Sequence, residues 1–205
     1  MLGYREAAAV ALDPTGDPTG GMDVLDDDKL LLAATYWSLI RGDREFPLRA
    51  DLDPGAMPPG ILPWICLIEV SEDRYRYRLV GTGLREYVGR DVTGDFVENL
   101  SSNQEYNDYL RGMLEDIRNH GSCMYSQVAT QAGNDVQKTN RLVAPMSKKG
   151  DAIDMFFCCQ TFGSHTNFTL TSALTAGSND QPVMLKTSAP RKALFKELSR
   201  FRLDI

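Results

Sequence analysis

Four cysteines and two histidines are the side chains of this 205-residue sequence best suited to nucleophilic or metal chemistry. Cys66, Cys123, Cys158 and Cys159 form no C-x-x-C pair, and His120 and His165 lie far from any Cys/His ligand spacing. The set therefore does not describe a zinc site. Neighbouring residues of a strand point to opposite faces, so Cys158 and Cys159 cannot share one role. The pattern reads as four buried free thiols in a reducing compartment. Ser164-His165 sets a nucleophile beside a base, but triad members meet in space and need a third orienting group; no G-x-S-x-G elbow is present. Asp151 and Asp154 flank a turn and read as solvent-facing. Gly81-Thr82-Gly83 follows a strand as a dinucleotide loop does, but Glu86 occupies the place of the third glycine and no βαβ unit follows. A glycine break at a strand end accounts for it. No catalytic residues emerge, and the expectation is a protein that is not an enzyme.

The better candidate for chemistry is apolar. Arg74 to Leu79 alternates strictly, with Tyr75, Tyr77 and Leu79 on one face and three arginines on the other. Leu142, Ala144 and Met146 alternate in a later strand, as do Ile153, Met155, Phe157 and Cys159 in the next. If these stripes meet on one inner face, Tyr75, Tyr77, Leu142, Met146, Met155 and Phe157 form a deformable surface with polar tips. That surface suits a small apolar or aromatic ligand. Such stripes are more often filled core than pocket. The cofactor, if any, is unknown from these residues: the histidines are badly placed for haem, and the motif of a photoactive flavin–cysteine site is missing.

Positioning these residues requires an ordered set of elements. Residues 13–21 form a tandem run of turn residues and read as part of a flexible leader spanning 1–25. Asp26 to Asp28 cap a helix over 26–41, with Leu30, Ala33, Ala34 and Trp37 at helical spacing and Gly42 as its stop. A Pro-rich connector runs to residue 63. Trp64 to Val70 reads as a buried strand, joined by a turn at Ser71–Asp73 to the alternating strand. Short helical pieces follow around 84–88 and 95–100. Ser102 and Glu105 then fit a capping box for a helix with Tyr106, Tyr109, Leu110, Met113 and Ile117 on one stripe. Three strands come next, near 122–130, 137–146 and 152–161. Hairpins dominate and no crossover is forced. The class is therefore α+β, with an antiparallel sheet and helices on one face.

Composition is that of an ordinary globular chain, with 42 % hydrophobic and 24 % charged residues and a net charge of −6. Residues 182–205 are the exception, with six basic side chains against two acidic. The acidic body argues against nucleic-acid binding by the core. No apolar run approaches the length of a membrane span and no signal peptide is evident, so the expected location is cytoplasmic. Within the tail from residue 162, Ala193, Leu194, Phe195, Leu198 and Phe201 read as a short basic amphipathic helix, suited to a partner groove, a membrane surface or docking on the domain.

The order of elements over residues 64–161 resembles that of a PAS domain. Five segments carry a closer likeness to a family of small bacterial stand-alone PAS proteins with an N-terminal helix. These are Tyr36-Trp37-Ser38-Leu39, Pro47 through Pro54 (PLRADLDP), Ile61-Leu62-Pro63-Trp64, Tyr77 through Thr82 (YRLVGT) and Gly89 through Gly94 (GRDVTG). The likeness covers roughly residues 28–161. It implies a five-stranded antiparallel sheet with helices over one face, and a space between them able to hold a small ligand or cofactor. It also implies a sensory, regulatory role exercised through a protein partner, or through a homodimer formed by residues 26–41; the apolar stripe of that helix could equally pack on the core of its own chain. The alternative is a structural protein–protein interaction domain with a filled core and no ligand.

Overall fold

The computed structural model describes residues 11–12, 18–22, 25, 27–101, 104–132, 135–165, 194–203 and 205. Its elements are β1 (Ala11–Leu12), β2 (Pro18–Gly20), α1 (Asp28–Arg41), β3 (Ile65–Ser71), β4 (Arg74–Val80), α2 (Thr82–Val88), α3 (Gln104–His120), β5 (Cys123–Ala132), β6 (Asp135–Met146), β7 (Met155–His165) and β8 (Leu194–Leu203). The five strands expected from the sequence are β3 to β7. They lie side by side, all antiparallel, in the order β5-β6-β7-β3-β4. Beyond β5 the sheet continues through β8, β2 and β1, with β2 parallel to β8. Part of the expected leader thus holds a strand: Pro18 opens β2, where a residue without an N–H is tolerated, and Thr19 and Gly20 pair with Arg202 and Leu203. Residues 13–17 lie outside the described ones.

Local chemistry explains the best-formed elements. Asp27 caps α1 by accepting a hydrogen bond from the Lys29 N–H, and Gly42 ends it with φ +59°. Glu72 and Asp73 both adopt positive φ, which gives the β3–β4 hairpin the turn twist that suits paired strands. Gly81 begins α2, where a Cβ would sit 2.4 Å from the Pro63 carbonyl oxygen. That close backbone approach is the glycine break read from the sequence.

Two features were misread because a bulge breaks strand parity. The register between β3 and β4 pairs Leu67 with Leu79 but Ile68 with Tyr77, which leaves Arg78 as an extra residue. Leu79 therefore does not share the face of Tyr75 and Tyr77: it is 42 % exposed and Val80 is buried instead. The same device hides β8. Gln127 pairs with Ser199 and Val128 with Glu197, so Leu198 is the extra residue. Apolar residues on either side of a bulge lose their period of two and imitate helical spacing. The expected basic amphipathic helix of the tail is in fact this strand, hydrogen-bonded along β5.

The sheet separates two cores. On one face Leu30, Ala33, Ala34, Tyr36 and Trp37 of α1 cover Ile65, Leu67, Tyr125, Leu142, Ala144, Met146, Met155, Phe157 and Cys159. Trp37 Nε1 donates to the Pro145 carbonyl (3.0 Å) and Thr161 Oγ1 donates to Asp27 (2.6 Å), fixing the helix on its own sheet. On the other face Tyr106, Leu110, Met113, Leu114 and Ile117 of α3 cover Cys66, Ile68, Tyr75, Tyr77, Met124, Val143, Phe156 and Cys158. Cys158 and Cys159 thus face opposite cores, and all four cysteines are buried and free. No helix among the described residues is long and apolar enough to cross a membrane.

A buried arginine and cavity beneath α3

The six residues proposed for ligand contact do not form one surface. Tyr75 and Tyr77 lie under α3, with Tyr75 edge-on to Phe156 at 5.7 Å between ring centroids. Leu142, Met146, Met155 and Phe157 lie on the opposite face, packed under α1. Alternation within a strand tells which residues share a side. It does not give the phase of one strand relative to another, which only the register supplies. Here Leu67 pairs with Phe157 and Ile68 with Phe156, and Tyr77 follows Ile68.

A cavity of about 20 Å³ does lie under α3. Of the six candidates it takes only Tyr77; Cys66, Ile68, Val97, Leu110, Met113, Leu114, Arg141, Val143, Cys158 and Gln160 complete its lining. Register brings the strand residues together. Cys66 stands opposite Cys158, which stands opposite Val143, and one step along the ladder Gln160 stands opposite Arg141. The roof is α3, whose first turn is held by buried Asn107. Its Nδ2 donates to the carbonyls of Glu98 (2.8 Å) and Ser101 (2.9 Å), and its Oδ1 accepts from the Ser101 N–H (3.1 Å).

Arg141 dominates the electrostatics. It is 5 % exposed. Its Nε donates to Gln160 Oε1 at 2.9 Å and its Nη2 donates to Tyr106 Oη at 2.9 Å, while Nη1 has no partner among the described residues. The described residues include three buried charged side chains, Glu69, Arg141 and Arg202. Glu69 meets Arg76, Arg78 and Lys148, and Arg202 meets Asp116 at 2.9 Å. Of the three, Arg141 alone has no carboxylate partner among the described residues. Around it the neutral groups stay neutral: burial, with Cys66 and Tyr106 close by, pushes the Tyr77 hydroxyl well up. The hydrogen bond with Cys66 and then burial push the Cys158 thiol up, so it remains a protonated, weakly reactive group.

Among the described residues no cluster of three His, Cys, Asp or Glu could hold a metal ion. His120 is exposed at the end of α3, its Nδ1 2.9 Å from the Asp116 carbonyl oxygen, and it does not line the cavity. Sequence reasoning misses Arg141, Gln160, Tyr106 and Cys66 because the alternation of Leu142, Ala144 and Met146 marks only one of the two covered faces of β6. The signal was nonetheless present. Leu142-Val143-Ala144 is continuously apolar, as in a strand covered on both faces, and Arg141 then shares a buried face with Val143.

An α+β sheet in this strand order, with a cavity between it and a long helix, defines the class of protein. The family model described as a PAS domain (PAS_5) matches residues 26–160. The chain belongs to this PAS family. Solved structures similar to it include the Rhodobacter sphaeroides LOV protein, at 17 % identity and TM-score 0.39 over 55 % of this chain and 65 % of that one. An RsLOV variant with one aspartate replaced by glycine aligns at 13 % identity and TM-score 0.41, over 74 % of this chain and 78 % of that one. The chain thus spans just under two thirds of the first of these structures. No curated protein matches it.

Proposed function

We propose that this PAS domain is a sensory and regulatory module that binds a small ligand in the cavity beneath α3, performs no catalysis of its own, and reports occupancy to a protein partner. The observation that carries the reading is a cavity placed against a buried, incompletely bonded polar side chain, Arg141, rather than against apolar groups alone. Polar groups converging in an otherwise apolar cavity are the usual form of a ligand site. The output surface in this reading is the outer side of α1, where Leu32 and Leu39 (77 % exposed) stand one heptad apart and suit a second copy of the helix. Four free buried thiols fit a reducing, cytoplasmic location.

The small volume supports a second reading, an interaction domain whose core is in effect filled. About 20 Å³ holds little more than one water. Native mass spectrometry of the purified full chain, followed by a fragment screen by thermal shift, separates the two. The ligand reading expects a bound mass or a stabilising compound, either lost in Val143→Phe, which fills the cavity. A bare chain that no compound stabilises contradicts it and leaves the filled-core reading.

A further inference from the structure

We infer that the tail strand β8 is a clasp that couples the two helices: it holds the C-terminal end of α1 and is itself held by α3, so that a change at the end of α3 reaches α1. The inference deepens the reading of α3 as the sensing face and α1 as the output face. Its test uses no ligand, so its failure and the failure of the ligand reading are told apart. The family match ends at residue 160, and β3 to β7 form the five expected strands without β8. β8 is therefore an addition to the PAS sheet. It pairs with β5 from Cys123 to Gln131 on one side and with β2 at Thr19 and Gly20 on the other. Among the described residues β2 pairs otherwise with β1 alone, so the hydrogen-bonded link between the sheet and the segment leading into α1 runs through β8.

The end of the chain makes the connection, because successive side chains of a strand point to opposite faces. Arg202 turns toward α3, where its Nη2 donates to Asp116 Oδ1 at 2.9 Å. Arg200 lies over the Tyr109 ring of the same helix, 5.0 Å from its centroid. Leu203 turns the other way and is buried in the core under α1. Ile205 packs against that core, and its carbonyl accepts from Arg41 Nη1 at 2.8 Å. Arg41 is the last residue of α1, and its guanidinium also lies 5.3 Å from the Trp37 ring centroid. Arg202 is buried, so removing the Asp116 carboxylate breaks a buried ion pair, which is strongly destabilising. The strand relieves this by leaving β5, and Leu203, the Ile205 carbonyl and the β2 pairing then leave α1 together. The bulge at Leu198 already interrupts the β5–β8 ladder, which eases that opening.

The test is amide hydrogen exchange of the full chain, read by mass spectrometry, in two variants. Asp116→Ala removes the α3 end of the clasp, and Ser199→Pro interrupts the β8 ladder itself. The expected result in both is a rise in exchange of about tenfold over β8 and over residues 36–41 of α1, with the centre of α3, residues 110–114, still protected. Arg111→Gln, which breaks an exposed ion pair between Arg111 and Glu115 on α3, leaves α1 as in wild type. An α1 that keeps its protection in Ser199→Pro, or exchange that rises equally in α1 and in the centre of α3, overturns the inference. A response to Ser199→Pro but not to Asp116→Ala overturns the link to α3.

Discussion

The two faces of the sheet each bury charge, and they treat it differently. Under α1 the core is apolar, and the one buried charge at its margin, Glu69, is surrounded by Arg76, Arg78 and Lys148. Under α3 the core contains a cavity, two tyrosines of β4, two cysteines and Arg141, whose partners among the described residues are neutral. Among the described residues the α1 face compensates the charge it buries. The other gives up packing and charge compensation at one place, which is where natural proteins tend to depart from the rules of good packing for the sake of function.

That contrast can be broken most forcefully on the α1 side. Trp37→Ala or Phe157→Ala removes a fully buried aromatic from an apolar core and should lower unfolding free energy by about 3–5 kcal/mol in urea titrations. If these changes cost little, the α1 face is not a well-packed core. On the α3 side Tyr106→Phe removes the acceptor of Arg141 Nη2 and should cost about 1–3 kcal/mol. In an Arg141→Met background the same change should cost much less, because no buried donor is then stranded. Additive effects in this double-mutant cycle would show that the guanidinium is satisfied by other means.

The smallest effect concerns Glu69. Burial by itself raises its carboxyl, but hydrogen bonds from Arg76 and Lys148 and the charge of Arg78 hold it below its ordinary value. A folded-state value below the unfolded one gives stability that is present above the unfolded pKa and is lost as pH falls through the folded one. Glu69→Gln should therefore lose about 1 kcal/mol at pH 7, given its half-exposed partners. The difference from wild type should shrink below about pH 4. A gap that stays constant down to low pH would contradict the ion-pair account.

Much of this architecture is readable in the sequence. Capping at Asp27, the stripe on α3 and the alternation of β4 are local signals, and each produced its element. What could not be read is long-range. The register that puts Phe157 behind Leu67 and Phe156 behind Ile68 decides which side of the sheet each candidate faces, and it split the six proposed residues between two cores. Bulges at Arg78 and Leu198 erase the periodicity there, so the pattern alone puts Leu79 inside and gives β8 the spacing of a helix. Arg141 escaped notice because a charged residue in a strand is ordinarily on the wet side. Only the packing of α3 over that face shows that it is dry.

Methionine methyl groups lie on both faces and report on each separately: Met113 lines the α3 cavity, while Met146 and Met155 sit in the α1 core. The most direct test follows their ¹³C-methyl resonances in the full chain during titration with the fragments that stabilise it. A saturable shift of Met113 with Met146 and Met155 unmoved is the predicted result. Movement of Met146 and Met155 with Met113 unmoved would contradict the account and return the ligand site to the other side of the sheet.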